Sequence, residues 1–329
     1  MLAILGGGAW GTALAFTGHR ANLPVRLWAF EPEVAAEINA SHRNQAYLPG
    51  IDLPAAITAT SSLAEAVDGA DIILLVTPAQ HLRRIVSEAV PYMEAGVPLV
   101  ICAKGIEQAT GDLLSQAIAK PAAGHPIAVL SGPTFAREVA SGLPTAVTVA
   151  CEDSAVAERI VYALKSPMFR PYSSTDVVGV QVGGAVKNVI AIAAGVTIGL
   201  QFGENARAAL VTRGLAEIVR LGTALGGRAE TLMGLSGLGD LMLTCGSEQS
   251  RNMSLGIELA GGLNATEILA ARTSVAEGAY TATAVHNLAQ RLGIETPIST
   301  AVHNVLTGEL DLAQAIGSLL ERPVKAEVG

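Results

Sequence analysis

Gly6, Gly8 and Gly11 stand in a G-x-G-x-x-G spacing, directly after the apolar run Leu2–Leu5 and directly before the helical run Thr12-Ala13-Leu14-Ala15-Phe16. This placement constrains the fold more than any other feature of the chain. The first glycine permits a tight turn, the second lets backbone approach a pyrophosphate, and the third lets the helix pack on the strand. Backbone N–H groups at the helix start then face the phosphates. A chain with 35 glycines can produce the spacing in an ordinary turn. Its position between the first strand and the first helix is what makes it a dinucleotide-binding signature.

The front half repeats that strand–helix unit. Residues 25–29, 57–60, 71–77, 98–103, 126–130 and 145–150 read as strands, several of them near-continuous apolar runs, as strands covered on both faces must be. Helical patterns fall between them at about 31–41, 62–67, 80–93 and 111–119. Such alternation implies a doubly wound parallel sheet. After about Asp176 the pattern changes to long helical stretches rich in Ala, Leu and Gly, with no strand signal. The expected architecture is therefore α/β followed by all-α: residues 1–176 as a dinucleotide-binding domain of the Rossmann type, and residues 177–329 as an all-helical domain.

Composition narrows the function classes. The 329 residues carry a net charge of −8, which argues against a general nucleic-acid binder. Cys102, Cys151 and Cys245 form no CxxC pair, and the six histidines show no H-x-x-x-H or HExxH spacing, so no metal site is expected. The scattered cysteines and the absence of a signal-like N-terminus fit a cytoplasmic protein. The apolar run after Lys187 extends only to Leu200, short of the roughly 18 residues of a membrane span.

Lys187 lies within the apolar stretch 183–195, in a chain that has 16 Arg but only 5 Lys. Burying a lone cation costs several kcal/mol unless it is paired, and lysine, unlike arginine, has a tunable pKa. The residue is either a proton donor and acceptor or a lysine snorkelling from a helix end. Asp240, inside the glycine-rich run 234–241, is a candidate partner; the alternative is a helix N-cap. Lys104 follows a strand, on the sheet edge where ligands bind, and reads equally as a solvated loop lysine. Ser131-Gly132-Pro133-Thr134-Phe135-Ala136 also follows a strand, and its backbone donors suit an anion or simply a capped turn. Ser250-Arg251-Asn252 combines a hydroxyl, a guanidinium and an amide, a set suited to phosphate, or forms an ordinary polar loop. Glu31 lies twenty residues after Gly11 at the end of the second strand. An acid there accepts from the adenosine ribose and favours NAD; it also suits a helix start beside Pro32.

Taken together and in this order, these motifs resemble the bacterial NAD(P)-dependent glycerol-3-phosphate dehydrogenases. The similarity spans residues 6–14, 47–50, 103–107, 131–138, 183–195, 205–214, 237–245, 250–252 and 277–278. The resemblance implies a Rossmann domain followed by an all-helical one, a homodimer, and interconversion of dihydroxyacetone phosphate and sn-glycerol 3-phosphate for phospholipid synthesis. It implies Lys187 as general acid/base with Asp240 beside it, and Lys104 touching cofactor and substrate. Gly132, Thr134, Ser250, Arg251 and Asn252 are implied substrate contacts. Gly6, Gly8, Ala9, Trp10, Gly11, Phe30, Glu31, Ala136, Arg251, Val275 and Glu277 are implied cofactor contacts.

Two positions depart from the family pattern. Ala9 replaces a frequent Ser, removing a possible hydroxyl donor. Phe30 stands where Arg or His is common, so Phe30-Glu31 offers no cation to a 2′-phosphate and the reading leans to NADH. Two rivals are a β-hydroxyacid dehydrogenase and a non-catalytic NAD(H)-binding sensor. The first expects Asn where the chain has Ala191; the second needs neither Lys187 nor Asp240.

Overall fold

The computed structural model describes residues 1–272 and 276–323. Val275 lies outside the described residues. Eight strands form one sheet: β1 Leu2–Leu5, β2 Val25–Trp28, β3 Ile57–Thr60, β4 Ile72–Leu75, β5 Leu99–Ile101, β6 Ile127–Ser131, β7 Thr145–Cys151 and β8 Phe169–Ser174, in the order β3-β2-β1-β4-β5-β6-β7-β8. The order reverses at β1, which pairs in parallel with β2 on one side and β4 on the other. That reversal opens the crevice beyond the strand ends where ligands of doubly wound sheets bind.

Strand alternation divides the sheet's side chains between two cores. Leu2 and Ile4 of β1 join a cluster with helices α1 (Ala9–Arg20), α2 (Pro32–Ser41) and, through Ala157, Ile160 and Leu164, a later helix at Ser154–Leu164. Ala3 and Leu5 face the other way, onto α3 (Leu63–Val67), α4 (Leu82–Ala89) and α5 (Leu114–Ala119). α6 (Ala136–Ala140) lies against α1, and α7 is the helix Ser154–Leu164.

The sheet is not wholly parallel, contrary to the sequence expectation: β7 runs antiparallel to β6, and β8 is parallel to β7. The cause is local. Arg20 of α1 donates to the carbonyls of Val139 (2.7 Å) and Ala140, holding α6 beside α1 at the edge where β6 ends. The chain does not recross the sheet, so Thr145 starts β7 from the edge that Ser131 left. β8 carries no apolar run, reading Phe-Arg-Pro-Tyr-Ser-Ser with only Phe169 and Pro171 buried, and sequence patterning missed it.

Beyond β8 the described residues form helices: α8 Val177–Gly199, α9 Gly203–Ala224, α10 Ala229–Leu232, α11 Asp240–Cys245, α12 Arg251–Ala260, α13 Ala265–Ala271, α14 Glu277–Leu292, α15 Pro297–Thr307 and α16 Leu312–Leu320. α8 is the axis of this half. Asp176 caps its start, accepting from Gly179 N at 2.8 Å, and the nineteen residues from Gly179 through Thr197 are all buried. Its 23 residues are long and apolar enough to cross a bilayer, which the count from Lys187 alone had understated. Burial decides the matter instead: 94% of its most apolar window is inside the protein.

Two glycine contacts set the depth of packing. A Cβ on Gly195 of α8 would lie 2.0 Å from the Met253 carbonyl oxygen, and one on Gly256 of α12 would lie 2.0 Å from that of Ile192. α8 and α12 therefore touch backbone to backbone, which only residues without a side chain allow.

Candidate active site

The site forms where the start of α8 meets the ends of β5 and β6. Gly184 faces the sheet: a Cβ there would lie 2.6 Å from Ser131 Oγ and 3.6 Å from Lys104 Cγ. Gly183 faces a π-helical turn over Leu235–Gly239, where a Cβ would lie 2.7 Å from the Ser236 carbonyl oxygen. Both glycines let α8 close on its neighbours, and one turn later the helix presents Lys187. The π turn, compacted by Gly237 against Leu232, delivers Asp240 as the first residue of α11. Such π turns recur at functional sites.

Lys187 is 6% exposed and Asp240 is fully buried. Lys187 Nζ donates to Asp240 Oδ1 at 2.7 Å and to Thr244 Oγ1 at 2.6 Å. Lys104 Nζ donates to the other carboxylate oxygen, Oδ2, at 2.5 Å, and to the Gly132 carbonyl at 3.2 Å. Asp240 is thus no N-cap, and Lys104 is no solvated loop lysine. One carboxylate serves two ammonium groups, an arrangement with net positive charge in a dry setting. Burial holds the Lys187 pKa down at about 8, with the positive charge of Lys104 adding to the depression and Asp240 opposing it. Burial also pushes the neighbouring Cys245 thiol up to about 12, so it stays neutral.

Thr244 was not singled out from sequence, although its place one helical turn after Asp240 puts it on the same face. Its hydroxyl accepts from Lys187 and donates to the Asp240 carbonyl at 2.7 Å, fixing which lone pair the lysine meets.

The Ser250-Arg251-Asn252 segment opens α12. Ser250 Oγ caps the helix by accepting from Met253 N at 3.2 Å, which leaves its own proton free to donate. Asn252 Nδ2 donates to Asn188 Oδ1 at 3.0 Å, and its Oδ1 accepts from Gly278 N at 2.9 Å. The amide therefore ties α12 to α8, beside Lys187, and to α14. Arg251 is exposed and electrostatically coupled to Glu277. The Glu277 carboxylate accepts from Ala79 N and is near enough to Lys104 and Lys187 to feel both charges; burial raises its pKa above the usual carboxylate value. Thr134 Oγ1 donates to the Gly132 carbonyl at 3.3 Å, so this hydroxyl is held in its own loop. Ala136 begins α6 close by.

The glycine loop lies at the other end of the crevice. Gly6 has φ +139°, and a Cβ there would strike the Val76–Thr77 peptide at 2.8 Å. A Cβ on Gly11 would lie 1.8 Å from the Gly6 carbonyl oxygen, whereas one on Gly8 would meet nothing within 4 Å. Gly8 begins α1 without a side-chain cap, followed by Ala9 and Trp10, whose buried Nε1 has no partner among the described residues. Open space over Gly8, uncapped N–H groups and an unmatched indole donor fit a bound pyrophosphate. Phe30, 66% exposed, and Glu31 follow the end of β2. Glu31 starts α2 but does not cap it; its Oε1 accepts from Tyr47 Oη at 2.9 Å.

Comparison with known proteins agrees with this arrangement. Residues 1–157 match the NAD-dependent glycerol-3-phosphate dehydrogenase N-terminus model and residues 176–317 match the corresponding C-terminus model. The chain belongs to the NAD-dependent glycerol-3-phosphate dehydrogenase family. A glycerol-3-phosphate dehydrogenase [NAD(P)+] of Rhodospirillum rubrum is 58% identical over 328 residues, covering 100% of this chain and 94% of the relative. The Caulobacter vibrioides enzyme of the same name is 52% identical over 98% of both chains. Among solved structures, glycerol-3-phosphate dehydrogenase from Coxiella burnetii superposes with a TM-score of 0.93 at 41% identity over 98% of each chain. A ketopantoate reductase from Ralstonia eutropha, TM-score 0.64 at 16% identity, shares the fold alone.

Proposed function

We propose that this chain reduces dihydroxyacetone phosphate reversibly to sn-glycerol 3-phosphate with NAD(P)H, NADH preferred, and so supplies glycerophospholipid synthesis. The observation that carries the reading is the buried Lys187–Asp240–Lys104 cluster, in a chain whose residues 1–157 and 176–317 match the family. Family membership favours this over a β-hydroxyacid dehydrogenase, and a Lys187 held near pH 8 is more than an NAD(H) sensor requires.

A nicotinamide held here would supply the hydride to C2 of the ketone. Everything else falls to the chain. Protonated Lys187 donates to the ketone oxygen as negative charge develops there, and Asp240 and Thr244 aim its remaining N–H bonds. In the reverse direction neutral Lys187 accepts the hydroxyl proton. Lys104, held by Asp240 and Gly132, adds positive charge between substrate and cofactor. Ser250, Arg251 and Asn252 receive the phosphate, with Gly132 and Thr134 bounding the substrate loop. Gly6, Gly8, Ala9, Trp10 and Gly11 would hold the pyrophosphate, Ala136, Arg251 and Glu277 would add cofactor contacts, and Phe30-Glu31 would meet the adenosine ribose; the family resemblance adds Val275, outside the described residues.

The division at residue 176/177, a homodimeric state and a cytoplasmic location belong to the same reading and are supported by the family resemblance. Light scattering of the purified chain tests the dimer. The function is tested by absorbance at the reduced-nicotinamide band with dihydroxyacetone phosphate, using NADH and NADPH in parallel. Faster oxidation of NADH supports the whole proposal. Faster oxidation of NADPH overturns the cofactor preference, and oxidation of neither overturns the substrate.

A further inference from the structure

We propose that Tyr47 is a specificity-determining residue, a strap that fixes Glu31 for the ribose diol and couples it to the glycine loop. The inference rests on the reading of Glu31 as the ribose acceptor. Three observations carry it. Tyr47 Oη donates to Glu31 Oε1 at 2.9 Å, which leaves Oε2 to accept from a ligand. The segment bearing Tyr47 is anchored under the glycine loop by Asn44, which is fully buried. Its Nδ2 donates to the Gly7 carbonyl and to Thr12 Oγ1, both at 2.8 Å, and its Oδ1 accepts from Tyr47 N at 3.3 Å. The far side is fastened to α6 by Arg137, which donates to the Pro49 carbonyl at 2.9 Å. The segment therefore touches the helix start that receives the pyrophosphate, the acid that reads the ribose, and the helix that carries Ala136.

The chemistry gives the strap a purpose. A carboxylate on an exposed strand end samples several rotamers, and each must be given up on binding a diol. A phenol bonded to one oxygen removes that freedom beforehand. Burial, and then the negative charge of Glu31, raises the Tyr47 pKa, so the phenol remains a donor. A 2′-phosphate would place like charge against a carboxylate that the strap prevents from turning away, so the same bond favours NADH and opposes NADPH.

The test is a cycle of Tyr47→Phe, Glu31→Ala and the double variant in the full-length enzyme, measuring kcat/KM for NADH and NADPH separately, with melting temperature as the fold control. Tyr47→Phe should lower the NADH:NADPH ratio of kcat/KM by roughly three- to tenfold, the cost of ordering one side chain on binding, mainly through KM for NADH. Adding it to Glu31→Ala should change the ratio no further. A parent preference for NADH that Tyr47→Phe leaves unchanged, or a loss equal for both cofactors, overturns the strap and leaves the cofactor reading standing. A parent that prefers NADPH overturns both.

Discussion

Lys187 Nζ lies 2.7 Å from Asp240 Oδ1, and neither side chain has appreciable access to water. The two residues are 53 apart in sequence and come from different helices. They meet because Gly183 admits the π turn that precedes Asp240. A buried ion pair of this kind is weak evidence for stability. Its value here is a lysine whose burial lowers its pKa to about 8.

The pH dependence follows from the sign of that shift. With Lys187 lowered to about 8, kcat/KM for ketone reduction, which needs the charged lysine, should fall as pH rises through about 8. Alcohol oxidation, which needs the neutral lysine, should rise over the same range. Asp240 raises the value and Lys104 lowers it. Asp240→Asn should therefore move the inflection down, and Lys104→Met should move it up. Rate profiles of the free enzyme read this directly; an inflection unmoved by both substitutions would remove Lys187 from the profile.

Two glycines of one motif should behave oppositely. A methyl group on Gly8 meets nothing, while one on Gly11 collides with the Gly6 carbonyl oxygen at 1.8 Å. Gly8→Ala should keep the parent melting temperature and weaken cofactor binding by crowding the pyrophosphate. Gly11→Ala should cost about 3 kcal/mol or more, because the backbone it strikes has nowhere to move. Thermal melts and cofactor titration separate the two effects.

Glu217 should matter for stability rather than catalysis. Its buried carboxylate accepts from Ile298 N at 2.6 Å, Ser299 N at 3.1 Å and Ser299 Oγ at 2.9 Å, capping α15 from α9. Thr296, in the cap position, does not supply this bond, since its buried hydroxyl lacks a partner among the described residues. Glu217→Ala should cost on the order of 2–3 kcal/mol by stranding buried donors, with KM for the substrate nearly unchanged. Burial raises the pKa of Glu217 above that of the unfolded chain. Its contribution is therefore present in full at low pH and declines as pH rises through the folded value.

Arg251 should act on the phosphate. Arg251→Ala is expected to raise KM for dihydroxyacetone phosphate by one to two orders of magnitude, roughly 1.5–3 kcal/mol for charged hydrogen bonds. Added inorganic phosphate or phosphite, tested with dihydroxyacetone in the parent and the variant, gives an independent reading of the same subsite.

What was legible in the sequence divides along physical lines. The glycine loop, the strand runs and the helical half could be read because spacing and apolar period are local properties. Glu31 and Lys187 could be picked out because a charge at a strand end or in an apolar helix is locally anomalous. The reversal at β7 could not be read: an apolar strand has the same period in either direction, and the Arg20 contact that holds α6 beside α1 comes from some 120 residues away. β8 escaped because its exposed alternate residues are Arg, Tyr and Ser. Lys104 and Asp240 were each candidates, but their pairing is a tertiary fact. So is the use of Asn252 to join α12, α8 and α14, which no triplet of polar residues announces.

The most direct test of the account is a comparison of the parent with Lys187→Met. Asp240 keeps Lys104 as a partner in that variant, so the fold should survive, as a melting curve will show. The measurement is single-turnover oxidation of bound NADH by saturating dihydroxyacetone phosphate, with NADH affinity measured alongside. The account predicts a loss of rate of about a thousandfold or more, combining proton transfer and charge stabilisation, with NADH affinity within a few-fold of the parent. A rate within about tenfold of the parent, too small a loss for a removed proton donor, would contradict the assignment of Lys187 as the group that gives and takes the proton.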